Sequence, residues 1–410
     1  MKAFDIVRSG WHELSHRPAS QVPALDALRA CAVFLVIGAH YAGSQWPAAG
    51  GVDLRLAHNP VFYFGWTGVD LFFILSGFLI GKQLWRELDR TGTVRVPRFW
   101  LRRGFRIWPL YFAMLGILTI WKGHLAQWPD WLFLSNYFTT AYARSWSLST
   151  EEQFYIAVPL LLLLTTRVIP RRAQAWPLVG LIIAVQGVRV WQRRYLLAAG
   201  LPANQIIDRM QFPIHVHCES LLVGLLIAYL STSRPHLFRA EGRWGTSTLG
   251  LTVVVLGSSL GMALDLLNKN VFSFLALSLI YGSLAFFVLA DRSPLTRPLR
   301  SWVFYPFSRL AFGMYLNHFW FAHGSTAWTV THLSGVLHLP VLVFLAGLVI
   351  GTAISAGVAT VTFILIEHPF LMLREHWFGE RDRPAHPQSA GAPSLGGGDA
   401  LRPQSSAGVA

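Results

Sequence analysis

Apolar runs of roughly 15 to 20 residues recur along this 410-residue chain and constrain its fold more than any other feature. Each run is close to the length that an α-helix needs to cross a hydrocarbon core of roughly 30 Å. Only 13% of the residues are charged, whereas ordinary soluble domains carry about 25%. So few charges cannot cover a soluble surface, and the apolar runs must face lipid. The sequence therefore predicts an all-α, polytopic membrane protein.

Ten such runs predict about ten transmembrane helices in one bundle. They cover residues 24–41, 61–81, 108–122, 152–166, 176–191, 214–231, 246–264, 271–290, 302–323 and 339–363. The segment 128–150 is too polar for a spanning helix, so we expect it to be re-entrant or interfacial. Residues 1–22 form a polar N-terminal segment and residues 23–375 a single membrane domain. Residues 376–410 form a tail whose composition predicts disorder.

The distribution of Lys and Arg between the loops predicts the orientation. Loops on the side of the two termini contain 17 of these cations, eight of them within residues 82–106, and the opposite loops contain seven. Because cytoplasmic loops carry the excess of positive charge, we expect a bacterial inner (plasma) membrane protein with both termini in the cytoplasm. The net charge of +14 is explained by this orientation and by anionic lipid headgroups, so we expect no nucleic-acid partner.

Two ionisable residues lie within the first predicted span, where a charge costs at least about 2.5 kcal/mol on insertion. Arg29 and His40 are 11 residues apart, which places them on one helical face, about 16 Å apart along the axis. Asp70 lies near the outer end of the second span, level with His40. A carboxylate there is expected to hold the imidazole in one tautomer. The alternative is an interfacial histidine with a snorkelling arginine.

Six segments occur together in an order and spacing that match a known family. They read PALDALRACAVFLVIGAHY, GVDLFFILSGFLIG, RFWLRRGFRIWPLYF, SWSLSTEEQFYIAVPLL, SRLAFGMYLNHFW and IEHPF, within roughly residues 23–370. The chain resembles the acyltransferase-3 family of integral-membrane O-acyltransferases. The resemblance implies transfer of an acyl group, with acetyl expected, from cytoplasmic acyl-CoA to a hydroxyl of a saccharide, glycolipid or exported glycan. Acyl-CoA would be a co-substrate, and no metal is expected.

An arginine stripe lies at the predicted cytoplasmic surface. Arg98, Arg102 and Arg106 are spaced four residues apart, hence on one helical face. Coenzyme A carries a 3′-phosphate and a pyrophosphate, and arginine forks bind phosphate oxygens bidentately. We expect this stripe, together with Arg29, to bind the donor. The alternative is anchoring to anionic lipid, which we prefer for Arg103.

Two adjacent glutamates open the fourth predicted span. Ser149 and Glu152 have the spacing of a capping box, which gives Glu152 a structural explanation. Glu151 has no such explanation, and the family's motif keeps its first glutamate more constantly than its second. We therefore expect Glu151 to bind the acceptor or to assist its deprotonation, on the same side of the membrane as His40 and Asp70.

The weaker candidates for lining the substrate site are Ser76, Glu152, Arg309 and His318. For Arg309 and His318, a buried polar pair that joins helices is an equal alternative. His217 stands where the family commonly has an arginine, so its role is open. Its alternation with His215 and Glu219 does not place three metal ligands together on a helix.

The mechanism that follows has His40, oriented by Asp70, as general base on the acceptor hydroxyl, while an acyl-histidine relay stays open. The alternative function is a secondary transporter or flippase whose buried charges line a path. Transporters often show inverted repeats and paired helix breaks, which this sequence does not display. A glycosyltransferase with a polyprenyl-linked donor ranks lower, because the predicted external loops hold few acidic residues.

Overall fold

The structure is a computed structural model that describes residues 3–18, 22–43, 60–122, 126–138, 140, 145–238, 245–267, 269–290, 294–337 and 339–379. Of these residues, 87% are helical and none lies in a β-strand. A helix satisfies its backbone polar groups within one segment, which is the requirement that lipid imposes. The predicted all-α class is therefore confirmed for the described part of the chain.

Helices of nine or more described residues are numbered in chain order. They are α1 Ala3–Ser15, α2 Pro23–Ala42, α3 Gly68–Thr91, α4 Val96–Lys122, α5 Trp146–Val168, α6 Ala175–Ala198, α7 Ala203–Gln211, α8 Glu219–Ser233, α9 Gly245–Leu267, α10 Lys269–Ala290, α11 Phe304–Leu333, α12 Pro340–Thr362 and α13 His368–Phe378. Shorter turns cover Pro60–Tyr63, Gly65–Thr67 and Trp128–Trp131, and a π-helical turn, Phe363–Glu367, joins α12 to α13.

Five helical segments among the described residues are long and apolar enough to cross a membrane, by length and composition. They are Pro23–Ala42, Gly65–Thr91, Arg171–Ala198, Val271–Ala290 and Pro340–Phe378. Each of the ten predicted spans overlaps a helix of at least 15 residues. However, the first half of α4 is rich in arginine, and α8, with 15 residues, is only about 22 Å long. The number of ten spans therefore stays a prediction.

Exposed aromatic rings stand near both ends of α6. Trp176 lies at its start, while Trp191 and Tyr195 stack on each other near its end with ring centroids 5.9 Å apart. The 15 residues from Trp176 to Trp191 rise about 22 Å. Because Trp and Tyr are enriched at both membrane–water interfaces, the pattern is that of a helix whose middle faces lipid.

Glycines allow α3 to pack closely against α8. A Cβ atom added at Gly77 would overlap the carbonyl group of Leu221, and one added at Gly224 would overlap the carbonyl group of Ile74. In lipid, small residues at such crossings let helix backbones approach, and packing rather than the hydrophobic effect holds the helices together. This crossing fixes the position of α3, which carries two of the predicted site residues.

Helix α1 is joined to the bundle near its end. The Glu13 carboxylate accepts a hydrogen bond from the guanidinium of Arg309 and one from His368 Nδ1 at 2.7 Å. At the other end of the chain, α13 extends to Phe378, so the predicted tail boundary at residue 376 falls inside a helix. The rest of the predicted tail, residues 380–410, lies outside the described residues.

The predicted re-entrant segment contains the short helix Trp128–Trp131 and the turns that follow it. Tyr111 Oη donates to the carbonyl of Asp130 at 2.8 Å, and Thr140 Oγ1 donates to its carboxylate at 2.7 Å. Burial raises the pKa of the Asp130 carboxyl, and the hydrogen bond from Thr140 opposes this shift. Helix α5 already begins at Trp146, and a re-entrant path for residues 128–150 stays a prediction.

Candidate active site

An open cavity of about 740 Å³ is lined mainly by cations from α3, α4 and the turn between them, and we call it the outer cavity. Its cationic lining residues are Arg29, Lys82, Arg86, Arg90, Arg95, Arg98 and Arg102. The acidic residues of the lining are Asp26 and Glu87. A concave surface with this surplus of positive charge concentrates anions.

A second cavity of about 420 Å³ adjoins the first, and we call it the inner cavity. The residues shared by the two linings are Asp26, Arg29, Leu79, Gln83 and Arg102. The arginines that line the inner cavity alone are Arg103, Arg106, Arg309 and Arg374. The stripe of Arg98, Arg102 and Arg106 therefore runs along one face of α4 from the outer cavity into the inner one. What it binds stays a prediction.

Arg103 lies on the inner cavity, and the prediction that it anchors the protein to lipid headgroups does not fit this position. Its Nη2 donates to Gln83 Oε1 at 3.4 Å, and its guanidinium lies 5.7 Å from the centre of the Tyr155 ring. The inner cavity extends between α4 and α5. Arg103, the next residue after Arg102 on α4, therefore still lines it. Residue spacing on one helix cannot show how far a cavity wraps around that helix.

Arg29 stands where the two cavities meet. Its Nη1 lies 3.7 Å from Asp26 Oδ1 and 3.5 Å from Ser308 Oγ, which itself donates to Asp26 Oδ1 at 2.9 Å. Arg17 Nε lies 3.1 Å from the other oxygen of Asp26. Two arginines thus compensate the buried Asp26 carboxylate, which in turn orients Arg29 at the junction.

Glu151 lines the inner cavity. Ser76 donates a short hydrogen bond to Glu151 Oε1. Ser76 is six residues beyond Asp70 on α3, a rise of about 9 Å. At this level the Glu151 carboxylate lies among the arginines of the inner cavity. The structure therefore brings Glu151 together with the predicted donor-binding residues Arg29, Arg102 and Arg106.

The predicted capping box of Ser149 and Glu152 is wrong, because α5 already begins at Trp146 and both residues lie inside the helix. Ser149 Oγ lies 2.8 Å from Ser135 Oγ. Glu152 Oε2 accepts a hydrogen bond from Trp108 Nε1 at 2.9 Å. Glu152 therefore links α5 to α4, and it is not among the residues that line either cavity.

His40 pairs with His318. His318 Nε2 lies 3.2 Å from His40 Nδ1, and the Val36 carbonyl lies 3.0 Å from the same nitrogen. The other ring nitrogen of His318 faces the carbonyls of Met314 and Tyr315 at 3.2 and 2.7 Å, so that nitrogen carries the proton. These neighbours assign the tautomers. His318 Nε2 accepts, His40 Nδ1 carries the proton, and His40 Nε2 carries the lone pair that a base needs.

Asp70 does not contact His40, and the expected pair is absent from the described residues. Asp70 Oδ1 accepts hydrogen bonds from His217 Nε2 at 3.0 Å and from Ser220 Oγ at 2.8 Å. The face of α3 on which Asp70 lies explains these partners. Asp70 precedes Gly77 by seven residues and so shares the face of α3 that packs on α8 rather than on α2.

His217 is the functional candidate whose partner the sequence does not reveal. Its Nδ1 lies 2.7 Å from the Gln211 carbonyl, and its Nε2 lies on Asp70. Both ring nitrogens therefore face acceptor oxygens. Its ring stacks on Trp146 with centroids 5.5 Å apart. Since Trp146 begins α5, five residues before Glu151, this contact fixes the start of the helix that carries the inner-cavity carboxylate.

Tyr315 connects the inner cavity to the histidine pair. Its side chain lines the cavity, its hydroxyl shares a short hydrogen bond with Ser147 Oγ, and its carbonyl accepts from His318 Nδ1. Arg309 lines the same cavity and bonds to Glu13 of α1, while His318 bonds to His40 of α2, so both residues join helices and Arg309 also faces the cavity. His318 is therefore held by the backbone of a residue that lines the inner cavity.

The described residues contain no group of three or more His, Cys, Asp or Glu side chains that could hold a metal ion. The two ring nitrogens of His215 lie 2.9 Å from Tyr137 Oη and 2.8 Å from Gln192 Oε1. His215 and His217 therefore bond to different partners.

Comparisons with known proteins identify relatives. A family described as Acyltransferase domain matches residues 22–360. Acyltransferase MdmB of Streptomyces mycarofaciens is 27% identical over 329 residues, 73% of this chain and 78% of the relative. Peptidoglycan O-acetyltransferase OatA of Listeria monocytogenes is 30% identical over 168 residues, 35% of this chain and 24% of the relative.

A Staphylococcus aureus (strain COL) protein, whose name assigns it provisionally as an O-acetyltransferase, is 28% identical over 232 residues. The matched region is 51% of this chain and 35% of that relative, so the chain spans about a third of the length of the staphylococcal protein. No solved structure matches this chain.

Proposed function

This chain belongs to the acyltransferase family whose domain matches residues 22–360, and on that premise we propose that it is a membrane-bound O-acyltransferase. The proposed reaction moves an acyl group, with acetyl as the first candidate, from acyl-CoA to a hydroxyl of a saccharide or glycoconjugate. Relatives named as an acyltransferase and as a peptidoglycan O-acetyltransferase support this reaction class.

One observation carries the proposal. Two adjoining arginine-lined cavities lead to Tyr315, which bonds to His318, which in turn bonds to His40. A polyanionic donor that ends in a long uncharged arm fits two adjoining cationic cavities, the second of which is lined by a residue of the helix that carries His318. Arg98, Arg102 and Arg106 bind its phosphates in this proposal, and Arg29 guides it at the junction of the cavities.

The bond changes involve His40 directly. Nε2 of His40 takes the proton of the acceptor hydroxyl, whose oxygen forms an ester bond with the thioester carbonyl carbon. The C–S bond breaks, and the coenzyme A thiolate leaves and takes up the proton. His318 accepts from His40 Nδ1 and thereby favours the imidazolium that forms. In the second route, an acyl-histidine relay, His40 Nε2 attacks the thioester carbon and the C–S bond breaks to release the thiolate. The acceptor oxygen then attacks the acyl carbon, the C–N bond to His40 breaks, and the hydroxyl proton passes to the thiolate.

The remaining site residues take supporting roles in this proposal. Glu151, held by Ser76, binds the acceptor or assists its deprotonation. Asp70 acts through His217 on the start of α5 and not directly on His40. Arg309 contributes positive charge to the inner cavity. No metal takes part.

The donor enters from the cytoplasm in this proposal, with both termini on that side of a bacterial inner membrane. The outer cavity supports this orientation, because the segment 82–106 supplies most of its cations and is the most cationic loop of the chain. The acceptor is a glycan, a glycolipid or an exported saccharide that reaches His40 from the opposite side.

Mass spectrometry of envelope glycans tests the proposal. Cells with the wild-type chain should show acyl-ester mass increments that disappear on mild alkaline treatment. Cells without the chain, or with H40A at equal abundance, should lack them. Glycan spectra that are identical in all three strains would contradict the proposed function.

A further inference from the structure

The arginines of the two cavities differ in their surroundings. Arg86, Arg90 and Arg95 in the outer cavity are exposed, whereas the four arginines that line the inner cavity alone are partly buried. Salt and water screen charges at an exposed site much more strongly than charges at a buried one. An anionic ligand would therefore stabilise the charges of the inner cavity more than those of the outer cavity.

Two guanidinium groups of the inner cavity keep an unsatisfied nitrogen. Arg309 Nε and Arg374 Nε are buried without a hydrogen-bond partner among the described residues. The acids beside them, Glu13 and Glu375, bond to the Nη2 atoms. A buried charged donor without a partner is costly, and a phosphate group can bond Nε and a neighbouring N–H together. The Nε atoms of Arg309 and Arg374 are thus placed to bind an anion that enters the inner cavity.

The groups of a coenzyme A thioester occur in a fixed order. The ribose 3′-phosphate is at one end, the pyrophosphate follows, and the uncharged pantetheine arm leads to the thioester. The inner cavity is the one next to the histidine pair, through Tyr315. Arg29, at the junction of the cavities, lies about 16 Å from His40 along α2, a distance that a narrow pantetheine arm can bridge.

From this order we infer that the inner cavity binds the pyrophosphate of the donor and that the outer cavity binds its 3′-phosphate. The inference rests on the proposed function and assigns separate roles to residues that the sequence does not place at the donor site. Arg103 and Arg374 belong to the pyrophosphate site, and Arg90 and Arg95 belong to the 3′-phosphate site. If both phosphate groups lay in the outer cavity, the inner arginines would face only an uncharged arm.

Dephospho-coenzyme A separates the two sites, because it lacks only the 3′-phosphate and keeps the pyrophosphate. The experiment measures the Kd of coenzyme A and of dephospho-coenzyme A for the full-length protein in nanodiscs, by isothermal titration calorimetry. The outer variant is R90Q/R95Q, whose residues are exposed and carry little risk to folding. The inner variants are R374Q and R103Q. R167Q is the matched control, an exposed arginine outside both cavity linings.

The wild type and R167Q should bind coenzyme A at least about tenfold more tightly than dephospho-coenzyme A, the factor expected for one charge-assisted contact. In R90Q/R95Q the ratio of the two Kd values should fall to about 1. In R374Q and R103Q both Kd values should rise by about tenfold or more while their ratio stays at the wild-type value.

An outer variant that keeps the wild-type ratio, or inner variants that abolish it, would overturn the division of the donor between the cavities. The use of two inner variants guards against one that fails to fold. A wild-type protein that binds neither compound would instead contradict the proposed function itself, and the inference with it.

Discussion

The contact between His318 and His40 leads to a quantitative prediction. H318L removes one acceptor for the Nδ1 proton and leaves the Val36 carbonyl, 3.0 Å away, as an acceptor for that nitrogen. His40 therefore keeps its tautomer but loses a bond that strengthens as the imidazolium forms. A hydrogen bond to a charged group contributes about 1.5–3 kcal/mol, and about 1.4 kcal/mol corresponds to a tenfold change in rate. We expect the kcat of H318L to fall by roughly 10- to 150-fold.

The assay is acyl transfer at saturating donor with purified protein in liposomes. Donor affinity should stay at the wild-type value, because His318 is not among the residues that line either cavity. H318Q, which can present an amide oxygen to His40, should recover part of the rate. F319L is the matched control, because the Phe319 ring packs against the same imidazole with ring centroids 5.9 Å apart. This variant should change kcat by less than about threefold. Wild-type turnover by H318L, or an equal loss in F319L, would refute the assigned role of His318.

Three further predictions concern the carboxylates and the packing. E151Q should cut kcat by about 10²-fold or more, and it should not weaken donor binding, because it removes a negative charge from among the donor-binding arginines. E152Q should chiefly lower the melting temperature. An inactive, well-folded E152Q beside an active E151Q would contradict this. G77A should destabilise the protein by about 1–3 kcal/mol in thermal unfolding, because its methyl group meets the Leu221 carbonyl, and an unchanged melting temperature would count against the close crossing. R189M should lower the free energy of unfolding by about 3–5 kcal/mol, because it leaves the fully buried Glu219, 3.1 Å from Arg189, without its cation. The double variant R189M/E219L should recover most of that loss. A double variant no more stable than R189M would contradict the pairing.

The relative positions of residues on one helix could be predicted from the sequence more accurately than the contacts between helices. The four-residue spacing of Arg98, Arg102 and Arg106 correctly predicts that they share a face, because such a pattern depends only on helix geometry. The partner of Asp70 could not be predicted in the same way. It depends on which face of α3 meets which neighbour, and the close crossing at Gly77 turns that face towards α8.

The position of Glu151 could not be predicted because the start of α5 was placed too late. Ser149 and Glu152 have the spacing of a capping box, but the helix begins three residues earlier, at Trp146. That shift moves Glu151 from the predicted helix start into the helix. Trp146, at the start of the helix, stacks on His217. These residues are 71 positions apart in the chain, and no spacing rule connects them.

The central claim is that His40 carries out acyl transfer from a thioester donor that arginine-lined cavities hold. The most direct measurement uses the purified chain in liposomes with [¹⁴C]acetyl-CoA and a saccharide acceptor, and it records label in the saccharide and donor Kd side by side. The wild type should label the saccharide, while H40A should bind the donor normally and transfer at least about 10²-fold less. H40A that transfers at the wild-type rate would contradict the account.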